Sequence, residues 1–209
     1  MTGFAATQRP DLETTLDFIN TTEIEHGAQV DHLDTTRAAL DWLQEHVGID
    51  RARVPEADAA RTRIVRSRTA FRELWDAAVE GRPPAESAVR EINRVLRDRT
   101  RLEIRAEVDP HGSAVYRLDR RSVGDPIDCA LADLAEPLAL ALGTPDSIAR
   151  ARVCASETCR WVFYDDSPTH RRRWCDMASC GNRAKAARHR ARAKADTTAA
   201  QAAGDAPAG

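Results

Sequence analysis

No apolar run in these 209 residues approaches the ~20 residues of a membrane-spanning helix, so no membrane partner is expected. Met1 to Pro10 lack the basic stretch and apolar core of a secretion signal, and a cytoplasmic location is expected. There is no glycine-rich phosphate loop, no nucleophile elbow and no Ser/His/Asp set, so no enzyme is expected. No internal repeat is visible. What remains is 42% hydrophobic and 31% charged, an ordinary globular balance in a chain long enough for a real core.

The net charge of −2 conceals a division. Residues 150–194 hold 12 Lys/Arg and 4 Asp/Glu, whereas residues 1–149 hold 19 basic and 27 acidic residues. That asymmetry implies two modules with different partners.

Along residues 1–148, helical spacing recurs. Leu12, Leu16 and Ile19 share one face of a first helix, and a loop with His26 and Gly27 follows. Asp34 is placed to cap a second helix that Gly48 closes. A third runs from about Glu56 to Glu80, and a fourth starts after Pro83-Pro84. Leu102, Ile104, Ala106 and Val108, then Ala114, Tyr116 and Leu118, alternate with polar residues around Asp109-Pro110-His111-Gly112, which predicts one β-hairpin. Pro126 opens a fifth helix that Pro137 should kink or split. Trp42, Phe71 and Trp75 fall at core spacing. The expected fold is therefore mainly α with one small hairpin (α+β), followed by a second module at 149–195 and a disordered tail at 196–209.

The second module carries four of the five cysteines, as Cys154-x4-Cys159 and Cys175-x4-Cys180, with 15 residues between the pairs. Two turns that each offer two thiolates suit one tetrahedral structural Zn²⁺. Cys129 has no partner at ligand spacing, and His170 and His189 are not needed to complete the set. Arg160 to Tyr164 suits a strand and Arg171 to Trp174 a return strand. A helix should begin between Asp176 and Asn182, the treble-clef order of elements. Arg183, Lys185, Arg188, Arg190, Arg192 and Lys194 follow with no acid before Asp196, so a polyanion is the natural partner. Ala184, Ala187, Ala191 and Ala195 form a small-residue stripe that would let this helix lie against a neighbour. Trp161 and Trp174 could form a small core under the metal or stack on bases.

The stretch Cys154-x4-Cys159, Trp161-x-Phe163-Tyr164-Asp165-x-Ser167, then Arg172-Arg173-Trp174-Cys175-x-Met177-x-x-Cys180-Gly181-Asn182-Arg183-Ala184-Lys185 resembles the CGNR zinc finger. Leu16-Asp17-Phe18-Ile19-Asn20-Thr21 and the Trp42-Leu43 pair resemble the ABATE domain that precedes that finger. The resemblance implies a bacterial regulator of transcription, with a DNA-binding finger and an N-terminal domain that senses a ligand or stress. Asp176 departs from the small polar residue the finger leads one to expect, and Pro168-Thr169-His170 is atypical.

The expected nucleic-acid contacts are Arg171, Arg172, Arg173, Asn182, Arg183, Lys185, Arg188, Arg190 and Arg192, to DNA in preference to RNA. Asp17 and Asn20 are candidate ligand-binding residues of the N-terminal domain, or else they cap and close its first helix. A homodimer is expected, because one finger offers few base contacts. An RNA-binding finger and a protein-interaction finger are the competing functions.

Overall fold

The computed structural model describes residues 10–25, 27–97 and 100–204. His26 and residues 205–209 of the expected tail lie outside them. The first helix, α1 (Leu12–Asn20), is capped by Asp11, whose carboxylate accepts from the Thr14 N–H at 2.9 Å. It is followed by a hairpin, β1 (Thr22–Glu25) with β2 (Ala28–Asp31), where sequence reading saw only loop. Each strand has four residues and one large apolar side chain, Ile24 or Val30, too short a stretch to show alternation. Helix α2 (Thr36–Val47) is capped by Thr35 and not by Asp34. Thr35 has extended backbone and its Oγ1 accepts from the Ala38 N–H at 3.1 Å. Gly48 ends α2 with a left-handed φ of 80° that suits glycine.

The chain continues through α3 (Asp58–Glu80), α4 (Glu86–Leu96), the hairpin β3 (Thr100–Val108) and β4 (Ala114–Ser122), and α5 (Pro126–Ala141). Pro137 does not split α5. Leu131, Leu134 and Ala135 before it and Leu138 after it are all buried, so core packing holds both halves in one helix. A short helix, α6 (Pro145–Ile148), leads to β5 (Ala151–Val153) and β6 (Val162–Tyr164). The last helix, α7, spans Asn182–Gly204. It therefore enters the expected disordered tail, where Ala-rich sequence supplies the strongest helix propensity.

The core is built by α1 to α5. Phe18 from α1 meets Phe71 of α3 edge-on at 5.8 Å and lies 5.2 Å from Trp42 of α2. Ile64, Trp75, Val95, Leu131, Leu134 and Leu138 close around them. Ala151 of β5 and Val162 of β6 belong to the same buried cluster. The hairpin that opens the cysteine module is thus part of the helical domain's core.

Two buried polar groups stiffen α3. Arg68, 5% exposed, forms a two-toothed ion pair with Asp31 at 2.6 and 2.8 Å and donates to the Thr21 hydroxyl. Glu91 of α4, 8% exposed, accepts from Ser67 and is paired with Arg94 and Arg66. Burial works against the Glu91 charge, but the bonds from Arg94 and Ser67 outweigh it and hold the carboxyl at about 2, below its usual 4.5. Its contribution is present above pH 4.5 and is lost as pH falls through about 2. Glu91→Gln should cost about 1.5 kcal/mol at neutral pH. It should also flatten the acid limb of stability against pH. Urea denaturation of both proteins across that limb measures this.

Candidate metal centre and basic helix

The first cysteine pair is set by the turn between β5 and β6, which pair antiparallel with Val153 opposite Val162. The Cys154 N–H donates to the Trp161 carbonyl at 2.8 Å, and the N–H groups of Cys159 and Arg160 both reach the Ser156 carbonyl. Arg160 closes this turn in the left-handed region, at φ 61°. The expected return strand at Arg171 to Trp174 is absent. β6 pairs with β5 instead, and the 171–174 segment is held by side chains and by one backbone bond, the Ala155 N–H donating to the Arg173 carbonyl at 2.8 Å. The fully buried Asp165 accepts from the Arg172 N–H at 2.8 Å, and Arg172 donates to the Cys175 carbonyl at 2.7 Å.

The second pair is set by a wide, π-type turn, Met177–Gly181. Asp176, the departure noted in the sequence, caps it by accepting from the N–H groups of Ala178 and Ser179 at 3.1 and 2.8 Å. The turn carries Cys180 inward and buries Gly181, where an added Cβ would meet the Met177 sulfur at 2.6 Å. Sequence alone placed the helix start between Asp176 and Asn182; the turn occupies that interval and α7 begins at Asn182.

All four sulfurs, of Cys154, Cys159, Cys175 and Cys180, lie within 4.8 Å of one another. The Cys159–Cys175 and Cys175–Cys180 separations are 3.6 and 3.8 Å. Four thiolates about 2.3 Å from a central zinc would stand about 3.8 Å apart, so this donor set fits one structural Zn²⁺. Burial pushes the Cys159 thiol up to about 11 and Cys175 higher still. Burial opposes the Cys180 thiolate most strongly, but the Arg183 guanidinium, 3.1 Å from its sulfur, and hydrogen bonds from the neighbouring thiols together outweigh this and lower it. Cys129 sits half-buried on α5, apart from the cluster.

The expected basic residues divide. Arg172 lies 5.1 Å over the Phe163 ring and is tied to the Cys175 carbonyl, so it builds the finger and is not free for phosphate. Arg173 lies 5.5 Å over Trp174, and Asn182 donates back to the Ala178 carbonyl. Arg171 is exposed. From Arg183 to Lys194 only Ala184 is partly covered. Ala187, Ala191 and Ala195 are exposed, so no part of the described chain covers the small-residue stripe beyond Ala184. Among the described residues no carboxylate pairs with Lys185, Arg188, Arg190 or Arg192.

Four side chains bolt the finger to the helical domain. Asn20 donates to the Val162 carbonyl at 3.0 Å and accepts from the Val162 N–H at 2.9 Å, so its amide is committed to β6 and not to a ligand. The Trp75 indole donates to the Arg152 carbonyl at 2.9 Å. The Trp161 indole donates to Glu23, and the Tyr164 hydroxyl bonds Ser147. Trp161 and Trp174 pack on the cysteines with Phe163, as a small core. Asp17 is on the rim of a cleft of about 390 Å³ between α1 and the finger, which Asn20, Trp161 and Tyr164 also line. Burial raises the Asp17 carboxyl. Sequence reading placed Trp75 in the core but not against the finger, and it gave Glu23 and Asp165 no role. Only Asp165 had a local signal, the Asp-x-Ser spacing in which Ser167 caps back onto the carboxylate at 3.1 Å.

The model of the CGNR zinc finger matches residues 150–193. The model of ABATE, described as "Putative stress-induced transcription regulator", matches residues 12–145. The chain belongs to the ABATE family. No curated protein matches it closely enough to count as a relative. In this ABATE protein the two matched regions abut at 145–150, and Asn20 and Trp75 of the first reach into the second. No helix among the described residues is long and apolar enough to cross a membrane.

Proposed function

We propose that this protein is a zinc-dependent, DNA-binding transcription regulator of the cytoplasm, with no catalytic role. The observation that carries this reading is α7, a basic helix that leaves a thiol-lined metal centre and packs chiefly on the turn before it. Its stretch from Arg183 to Lys194 is about 18 Å long at 1.5 Å per residue, enough to lie in a major groove. Arginine there can read guanine edges, while Arg171 and Arg173 approach phosphates. Four thiolates would fill the zinc coordination sphere, which leaves no open position for substrate. The cleft beside Asp17 is the place where a small molecule would act on the finger, because one wall is α1 and the other is β6.

Arg188→Ala and Arg190→Ala should each weaken binding to duplex DNA. Each should also lower the slope of log affinity against log salt by about one. Zinc content and helicity should not change. Salt titrations against duplex DNA and single-stranded RNA check this. Unchanged affinity in both variants would remove α7 as the contact surface, and an RNA preference would replace DNA as the partner.

A further inference from the structure

Three carboxylates, Glu13, Asp17 and Asp166, line the cleft of about 390 Å³ between α1 and the finger. Among the described residues Arg172 is the one guanidinium on its wall. Arg172 is already engaged. It donates to the Cys175 carbonyl at 2.7 Å, lies 5.1 Å over the Phe163 ring and reaches Asp166 at 3.4 Å. Glu13 and Asp17 stand one turn apart on α1, where like charges repel. Among the described residues neither side chain makes a hydrogen bond or an ion pair. The field of His46 favours the Asp17 charge, but its ring bonds the Trp42 carbonyl instead. Burial and then Glu13 raise the Asp17 carboxyl, so the fold disfavours its charge.

The other polar groups of the cleft are used. The Asn20 amide both donates to and accepts from Val162. The Trp161 indole N–H goes to Glu23 and the Tyr164 hydroxyl to Ser147, which leaves their rings as wall. The cleft therefore offers a ligand unpaired negative charge on α1 and aromatic carbon on the finger. The faces of Trp and Tyr rings also attract cations, as Arg172 over Phe163 shows in this finger. An anion would be repelled, and a hydrated metal ion would make no use of the rings.

We propose that this cleft binds a small organic cation with an apolar body, an aryl or alkyl amine or a guanidine. The charged head sits against Asp17 and Glu13, and the body lies along Trp161 and Tyr164. The cleft's volume of about 390 Å³ is at the small end of ligand sites, roughly 300–1,000 Å³, which suits a single-ring amine. The proposal rests on the reading of this cleft as the ligand site and adds the ligand's charge and size.

Tryptophan fluorescence and calorimetric titrations of the full-length, zinc-loaded protein, without DNA, test it. The cationic probes are benzylamine, phenethylamine and phenylguanidine. Benzyl alcohol, benzoate and calcium chloride are the neutral, anionic and bare-cation counterparts. At least one cationic probe should bind saturably, about tenfold or more tighter than benzyl alcohol, and Asp17→Asn should weaken it by about tenfold. Asp17→Asn should keep its zinc and its melting midpoint, because it removes a charge that burial and Glu13 disfavour. Benzoate or benzyl alcohol binding more tightly than every cation overturns the cationic class while leaving the cleft a ligand site. Calcium binding without any amine binding overturns it in favour of a metal site. Cation affinity unchanged in Asp17→Asn overturns the placement. No binding by any probe overturns the proposal and the cleft's ligand role together, whatever α7 does with DNA.

Discussion

Removal of zinc by a chelator, or Cys180→Ser, should unfold more than the finger. A structural zinc site supplies about 10–16 kcal/mol of apparent binding energy, which is folding energy for the segment it closes. Here that segment shares Ala151 and Val162 with the main core, and it receives the Asn20 and Trp75 bonds. Its loss is felt in α1 and α3 as well. If about 5 kcal/mol of the zinc energy is transmitted, the melting midpoint falls by about 10–20 °C at 2–4 °C per kcal/mol. Circular dichroism melts of zinc-loaded and chelator-treated protein measure this. If only the helicity of α7 is lost and the main transition stays in place, the finger is an independent module. The thiols add a direction. Zinc must displace protons from Cys159, held at about 11, and from the still higher Cys175, so zinc retention weakens as pH falls.

The parts of the molecule that were legible in sequence are those with a local rule. Helices α1 to α5 announce themselves through apolar spacing. The metal centre does so through four cysteines of one spacing, since thiolates close in sequence can be brought together by two tight turns. What was hidden depends on distance along the chain. Asn20 and Val162 are 142 residues apart, and nothing near Asn20 marks its amide as the clasp for a strand. Arg68 sits in the apolar line of α3 and looks misplaced until Asp31 arrives from β2 to pair with it. The partner of β6 was misread for a related reason. Arg171 to Trp174 carry strand-compatible residues, but Asp165 takes the Arg172 N–H that a sheet would need. β5, three residues long, is too short to show a period.

Trp75→Ala should cost about 3–5 kcal/mol, because it empties the space of a fully buried indole. It also leaves the Arg152 carbonyl without its donor. Trp75→Phe keeps most of the volume and should cost about 1 kcal/mol, the share of the hydrogen bond. Asn20→Ala strips two bonds from Val162, which is 1% exposed, at about 2–4 kcal/mol for the two orphaned backbone groups. Urea unfolding gives these numbers, and zinc release decides what they mean. β5 and β6 carry the turn that holds Cys154 and Cys159, so a loosened hairpin should surrender zinc to a chelator faster, by about tenfold for each 1.4 kcal/mol taken from it. Trp75→Ala and Asn20→Ala should therefore both speed zinc loss, while Glu91→Gln, whose contacts lie on α3 and α4, should not. Equal release rates in all three variants would mean that the helical domain and the finger share a surface but no free energy. A ligand in the cleft beside Asp17 would then have no route to α7 through β6.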